Sequence, residues 1–141
     1  MKKTILLCAI CALLGSCATT PAADEVQTLT FPDGSTYVGQ VKDGKLNGQG
    51  TYTWPNGSKY TGQWEDGKMQ GEGTMISSAG TYIGQHEDGL PNGQGTMISS
   101  DGKYVGQFKN GKPHGQGILY DLNDGRVIEE GTFVEGLYIS K

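Results

Sequence analysis

The chain has 141 residues and a formal net charge of −4, and 24 of its residues are glycine, about 17% against about 7% in typical proteins. Glycine inside a helix costs about 1 kcal/mol relative to alanine, so glycines spread along the whole chain disfavour a helical protein, and their lack of a three-residue period excludes collagen. Charged residues make up only 18% of the chain, which disfavours a highly charged disordered protein and leaves a glycine-punctuated β protein of one small domain.

The amino-terminal segment has the layout of a secretory signal peptide. A basic start at Met1-Lys2-Lys3 precedes an apolar run from Thr4 to Leu14, which is too short for a stable transmembrane helix. The run ends in Leu14-Gly15-Ser16-Cys17, a string that resembles the lipobox of bacterial lipoproteins, in which a peptidase cuts just before a cysteine that carries the lipid. We therefore predict a signal peptide over residues 1–16.

The lipobox resemblance implies that the thiol of Cys17 is alkylated by diacylglycerol and that its freed amine is acylated. Two or more acyl chains anchor a protein stably in a membrane. Alanine follows this cysteine, whereas an aspartate there tends to retain such lipoproteins at the inner membrane, so the resemblance implies the outer membrane of a bacterial cell envelope. The alternative is a plain signal peptide cut near Ala18 or Ala23, which leaves no lipid.

Residues 17–30 are predicted to be the lipidated amino terminus and a flexible tether, because Ala18 to Thr30 shows no clear hydrophobic period. Cleavage removes two lysines and changes the formal charge to −6, with nine basic residues against fifteen acidic ones. An acidic chain without a basic cluster is a poor candidate for nucleic acid binding, so no nucleic acid partner is expected.

From residue 31 onward the chain is a repeat, and we predict one domain over 31–141. A Tyr-x-Gly-Gln string starts at residues 37, 60, 82 and 104, and a partial copy with glutamate in place of the tyrosine starts near 129. Each complete copy continues with a turn glycine and a Gly-x-Gly pair. The unit Tyr-x-Gly-x-aromatic-x-x-Gly-Lys-x-x-Gly-x-Gly closely resembles the MORN repeat over about residues 37–136.

The copies depart from this unit at two positions. The aromatic position holds Trp64 and Phe108 in two copies but Val41 and His86 in the others, and Leu90 replaces the lysine in the third copy. We interpret His86 as a half-buried strand residue and not as a catalytic base, because no nucleophile or carboxylate recurs beside it.

Each copy has the pattern of two short strands. Tyr37, Gly39 and Val41 alternate with Val38 and Gln40, a period of two. Ten Asp-Gly or Asn-Gly dipeptides, which favour tight hairpin turns, recur about every ten residues. The pattern predicts an all-β meander of antiparallel hairpins without a helix in the mature domain, and the MORN resemblance implies an elongated single-layer sheet.

Glycines within strands weaken a sheet unless an aromatic ring of a neighbouring strand covers their backbone. The aromatic residues of the copies are placed to form such a ladder along one face. Two interpretations stay open: the rings form a shallow groove for a peptide or a sugar, or they only cover glycines and hold the sheet together. The candidate binding face consists of Tyr37, Tyr60, Trp64, Tyr82, Tyr104 and Phe108.

The sequence offers little catalytic or metal-binding chemistry. The Gly-x-Gly pairs do not lead into a helix, which excludes a phosphate-binding loop. The segment from Asp121 to Gly125 fails the spacing of a calcium loop, and the mature chain lacks a set of zinc ligands. His114 occupies a turn position that holds other polar residues in the other copies. We therefore expect no enzymatic activity, no cofactor and no metal.

The leading hypothesis is a non-enzymatic scaffold or protein-interaction module that is tethered at the bacterial cell envelope, because repeat sheets offer long surfaces and no deep pocket. The MORN resemblance implies the same class. The expected partners are the membrane, through Cys17, and an unidentified envelope protein. The alternative is direct binding of envelope glycan or lipid through the aromatic face.

Overall fold

A computed structural model describes residues 25–141, so the predicted signal peptide, Cys17 and most of the predicted tether lie outside the described residues. Residues 25–141 form one open antiparallel sheet of 11 strands, in which every strand pairs with its neighbours in sequence. The strands are β1 Val26–Thr30, β2 Thr36–Lys42, β3 Lys45–Thr53, β4 Lys59–Glu65, β5 Lys68–Ser77, β6 Gly80–Glu87, β7 Leu90–Ser99, β8 Gly102–Lys109, β9 Lys112–Tyr120, β10 Val127–Val134 and β11 Leu137–Ser140. The predicted all-β meander is confirmed.

No helix occurs in this part of the chain. Consequently, between residues 25 and 141 there is no helix with the length and apolar character that crossing a membrane requires.

Strand β1 occupies the last five residues of the predicted tether, which is a correction to the sequence prediction. It pairs with β2, from Val26 opposite Gln40 to Thr30 opposite Thr36. Leu29 and Phe31 pack against the buried rings at this end of the sheet. These contacts with the neighbouring strands hold β1 in place. Local hydrophobic periodicity does not reveal such contacts, so the sequence prediction missed this strand.

Tight turns join the two strands of each hairpin along one edge of the sheet, which we call the turn edge. The first residue of each turn has a φ between 49° and 52° and is followed by a glycine with positive φ, as two-residue hairpin turns require. Successive turns also contact each other, since the backbone N–H of Gly67 donates to the carbonyl of Leu46 at 2.9 Å. The first turn residues are Asp43, Asp66, Asp88, Asn110 and Glu135.

The two faces of the sheet differ in burial. On β4, Tyr60, Gly62 and Trp64 are buried, whereas the alternate residues Thr61 and Gln63 are exposed. We call the face with the buried rings the ring face and the opposite face the outer face. The buried residues of the ring face form the core, in two clusters that meet in the middle of the sheet.

Candidate functional surfaces

One continuous row of rings runs along the ring face from β2 to β11. In the second, third and fourth copies the later ring packs against the tyrosine of its own strand and against the tyrosine of the preceding copy. The ring of Trp64 lies 5.2 Å from that of Tyr60 and 5.6 Å from that of Tyr37, measured between centroids, and is nearly perpendicular to both. Such edge-to-face pairs contribute about 0.5–1.5 kcal/mol each beyond burial. The ring row consists of Tyr37, Trp64, Tyr60, His86, Tyr82, Phe108, Tyr104, Phe133 and Tyr138.

Each of the four repeat tyrosines covers a pair of glycines. The ring of Tyr60 lies over Gly62 on its own strand and over Gly73, the direct cross-strand partner of Gly62 on β5. A methyl group on Gly73 would lie 2.5 Å from Cζ of Tyr60, closer than any real contact. The in-strand glycines therefore provide the space in which the rings lie.

The hydroxyls of the four repeat tyrosines are hydrogen-bonded to backbone carbonyls. The hydroxyl of Tyr60 donates to the carbonyl of Gln63 at 3.0 Å, and the other three copies repeat this bond at 2.8 to 3.0 Å. Burial raises the pKa of Tyr60 and of Tyr82 to about 12. These hydroxyls are therefore neutral at pH 7 and act as structural donors.

His86 takes a ring position in the middle of the row. It is 3% exposed, and its ring lies 4.9 Å from that of Tyr60 and 5.0 Å from that of Tyr82. Nδ1 lies 3.1 Å from the carbonyl oxygen of Gly84, and Nε2 has no hydrogen-bond partner. Burial lowers the pKa of His86, so the neutral imidazole occupies this site. The residue is more deeply buried than the sequence predicted.

A glutamine fills a bulge beside each Gly-x-Gly pair. Between β6 and β7 the register shifts after Gly84, and Oε1 of Gln85 accepts a hydrogen bond from the backbone N–H of Gln94 at 2.8 Å. Gly93 has a φ of 95°, and a methyl group there would collide with this glutamine. The first glycine of the pair thus serves the bulge and the second accommodates a ring, which accounts for the motif without a phosphate.

The residues of the predicted binding face lie together on the ring face but are buried. Their exposed fractions run from 0% for Tyr37 to 6% for Trp64. Of the two interpretations that the sequence left open, this geometry favours the covering role, because a ligand has almost no ring surface to contact. The six residues are Tyr37, Tyr60, Trp64, Tyr82, Tyr104 and Phe108.

A cleft of about 310 Å³ opens on the ring face, beside aromatic residues that the sequence analysis did not select. Tyr52 and Trp54 line it together with Trp64 and Met69. The rings of Tyr52 and Trp54 lie 4.7 Å apart, and both are half-buried. We call this the Trp54 cleft. The sequence does carry a signal for this cleft. The first copy has Tyr52 and Trp54, whereas the later copies have methionine or leucine at the first of these positions and a non-aromatic residue at the second.

The outer face carries three parallel rows of residues across β2 to β9. The middle row is entirely β-branched and consists of Val38, Thr51, Thr61, Thr74, Ile83, Thr96, Val105 and Ile118. The row farther from the turn edge consists of Thr36, Thr53, Lys59, Ile76, Thr81, Ile98, Lys103 and Tyr120. The row nearer to the turn edge consists of Gln40, Gln49, Gln63, Glu72, Gln85, Gln94, Gln107 and Gln116.

Apolar side chains on the outer face are exposed. Ile76 and Ile83 are each 49% exposed, and Val38 is also 49% exposed. Contiguous exposed apolar residues on a soluble domain mark interaction surfaces more often than chance does. Sequence reasoning missed this surface because β-branched residues are ordinary in strands, and only the register shows that they are neighbours.

Groups for metal or acid–base chemistry do not cluster within residues 25–141. No group of His, Cys, Asp and Glu side chains in this part of the chain has the arrangement of a metal site. His114 lies on β9 at the turn edge, and its Nδ1 is 4.0 Å from a carboxylate oxygen of Glu135. It is far from His86 in sequence.

Comparison with known families agrees with the repeat boundaries. The MORN repeat model matches residues 37–59, 60–81, 82–103 and 104–125, which begin at the four starting positions that the sequence predicted. No curated protein matches the chain significantly. MORN repeats are in general modules for protein or membrane interaction and are not enzymes. Since the four matched repeats cover more than half of the sequence, the chain belongs to the MORN repeat family.

Proposed function

We propose that this chain is a non-enzymatic interaction module that is anchored by lipid at Cys17 in the outer membrane of a bacterial cell envelope and that binds an envelope protein through the Trp54 cleft. The observation that carries the proposal is the cleft itself, where half-buried aromatic residues of the first copy replace the smaller residues of the later copies. Half-buried tyrosine and tryptophan are the side chains most enriched at binding hot spots.

The anchor rests on the lipobox string that ends at Cys17. Cys17→Ala removes the thiol that receives the lipid, so we expect the chain to move from the membrane fraction to the soluble fraction of lysed cells. Cys11→Ala is the matched control, because that cysteine lies inside the apolar run. Membrane fractionation that persists in Cys17→Ala, or mass spectrometry that finds an unmodified Cys17, contradicts the anchor.

The interaction surface is tested by truncation of its half-buried ring. We expect Trp54→Ala to weaken capture of a saturable protein partner from detergent-solubilised envelopes by 10-fold or more, as loss of a hot-spot residue does. Leu122→Ala is the control, because Leu122 is 52% exposed and lies in a turn distant from the cleft. Equal capture by both variants contradicts the role of the cleft.

A second candidate function is binding of envelope glycan at the same cleft. It is favoured by the size of the cleft, which lies at the lower end of the range for small-ligand sites, and by the aromatic pair Tyr52 and Trp54. Cosedimentation with purified cell-wall sacculi that Trp54→Ala abolishes would establish this function in place of a protein partner. The absence of cosedimentation would exclude it.

A further inference from the structure

The three rows of the outer face are nearly uncharged although the chain is acidic. Of the 24 residues in its three rows only Lys59, Lys103 and Glu72 are charged, whereas the whole chain has 15 acidic residues and a net charge of −4. Like-charged chains repel each other, so self-association of an acidic chain is easiest through a surface that carries few acidic residues. The three rows together form such a surface, bordered at the turn edge by charged residues such as Glu65 and Glu87.

The size of the outer face matches what a stable pair of copies needs. Eight strands spaced about 4.8 Å apart and three rows spaced about 6.8 Å apart give a face of roughly 38 by 20 Å, or about 750 Å². A standard interface buries about 800 Å² on each partner. β-branched side chains of two such faces interdigitate when sheets stack about 10 Å apart, as in a β-sandwich.

We propose that the outer face binds the outer face of a second copy of this chain, so that two sheets stack in a two-fold symmetric dimer. When two identical faces contact each other, the two-fold axis of the dimer must lie in the plane between the faces. In the proposed dimer this axis runs perpendicular to the strands, along the middle row. Each strand then faces the same strand of the other copy in antiparallel orientation, and each residue of the middle row lies near its own counterpart.

The charges on the face select this axis. An axis along the strands through the centre of the face would place Lys59 over Ile98 of the second copy and one strand away from Lys103, a repulsive arrangement. The axis across the strands instead brings Lys59 next to Glu72 of the second copy, since these residues lie on adjacent strands in opposite outer rows. Like charges that come close across an interface oppose association, so the charges favour the axis across the strands.

The edges of the sheet are less suited to self-association than this face. β1 has five residues and β11 has four, and very short edge strands are a means by which proteins limit pairing between sheets. Leu137, at 69% exposed, lies on such a short edge strand.

Sedimentation velocity of the full chain in mild detergent tests the dimer. We expect the wild-type chain to sediment as a dimer at micromolar concentration, and Ile83→Glu with Val105→Glu to sediment as a monomer with unchanged circular dichroism, because the exposed positions tolerate the change while the interface does not. Leu137→Glu, on the edge strand, keeps the dimer. A monomeric wild type, a face variant that stays dimeric, or loss of the dimer in Leu137→Glu overturns the proposal.

Cysteine crosslinking in intact cells tests the symmetry without detergent. Thr96→Cys, in the middle row, is expected to yield a crosslinked pair with a bismaleimide reagent that spans about 10 Å, because this residue faces its own counterpart across sheets stacked about 10 Å apart. Ser78→Cys is the matched control, since Ser78 is exposed in a turn off the face. Crosslinking of the control alone, or of neither variant, overturns the proposed axis. Failure of the Trp54 cleft to bind a partner leaves this result unaffected, so the two proposals are tested separately.

Discussion

A histidine takes the place of an aromatic ring at the centre of the ring row, and this makes one position of the core sensitive to pH. Burial lowers the pKa of His86 below its usual 6.5, with the carbonyl of Gly84 and the charge of Glu72 acting in the opposite direction. The unfolded chain therefore binds the proton more readily than the folded chain, so stability is fully present above about pH 6.5 and is lost as the pH falls below it.

The first prediction is that His86→Phe removes the loss of stability between pH 7.5 and pH 5. Phenylalanine matches Phe108 in the next copy and carries no titratable group. Thermal unfolding followed by circular dichroism measures the effect, with His114→Asn as the control that keeps the loss, because asparagine occupies the equivalent strand position in two other copies. An unchanged pH dependence in His86→Phe would show that other groups cause it.

A second prediction at the residue scale concerns the space beneath the rings. Gly73→Ala should lower the free energy of unfolding by about 1–3 kcal/mol, because its methyl group meets the ring of Tyr60, which is fully buried and hydrogen-bonded to the carbonyl of Gln63. In a Tyr60→Ala background the same change should cost nothing or stabilise the strand, since alanine loses less conformational entropy than glycine. Denaturant unfolding of the four members of this double-mutant cycle gives the coupling, and additive costs would contradict the covering role.

At the scale of elements, ion pairs link consecutive hairpin turns, and one of them is missing. Lys45 bonds to Asp66 at 3.1 Å and Lys68 to Asp88 at 2.8 Å. The next pair of positions holds Leu90 and Asn110, so both partners are replaced together. The turn contact itself is kept, since the N–H of Gly111 donates to the carbonyl of Pro91 at 2.8 Å.

The third prediction is that Leu90→Lys together with Asn110→Asp adds the missing ion pair. The double variant should gain about 0.2–1 kcal/mol over the sum of the single variants, because exposed ion pairs are worth that much. Thermal unfolding at low salt measures the gain. It should disappear in 0.5 M sodium chloride, and a gain that persists there would not come from an ion pair.

Much of the element layout could be predicted because its signals are local. Asp-Gly and Asn-Gly dipeptides set the turns, and the recurring Tyr-x-Gly-Gln string set the repeat. Strand β1 was missed because Leu29 is held by contacts with the following strands. The near-complete burial of rings such as Tyr60 depends on both flanking copies, so a local sequence pattern does not predict it. The rows of the outer face depend on the register between strands, which a local pattern does not predict either.

At the scale of the whole molecule, the sheet is a linear array in which strands contact mainly their neighbours in sequence. In such arrays stability is approximately a sum of terms for repeats and for the interfaces between neighbours. The fourth prediction is that deletion of residues 82–103, one complete repeat, leaves a folded but less stable chain, because Tyr104 then follows Thr81 as Tyr82 does now.

Circular dichroism and thermal unfolding test this deletion. Deletion of residues 82–92, half a repeat, is the control and should prevent folding, because it removes one strand of a hairpin and reverses the direction of every strand that follows. A full-repeat deletion that fails to fold would show that the array is cooperative over more than neighbouring copies.

The central claim is that this chain acts through a membrane-tethered surface at the Trp54 cleft, and photo-crosslinking in intact cells tests it most directly. A photoreactive amino acid at position 54 should capture one envelope protein, and Cys17→Ala should abolish that capture, while the same probe at the exposed Leu122 captures nothing comparable. Capture of no protein at position 54, or capture that is equal at both positions or independent of Cys17, would contradict the account.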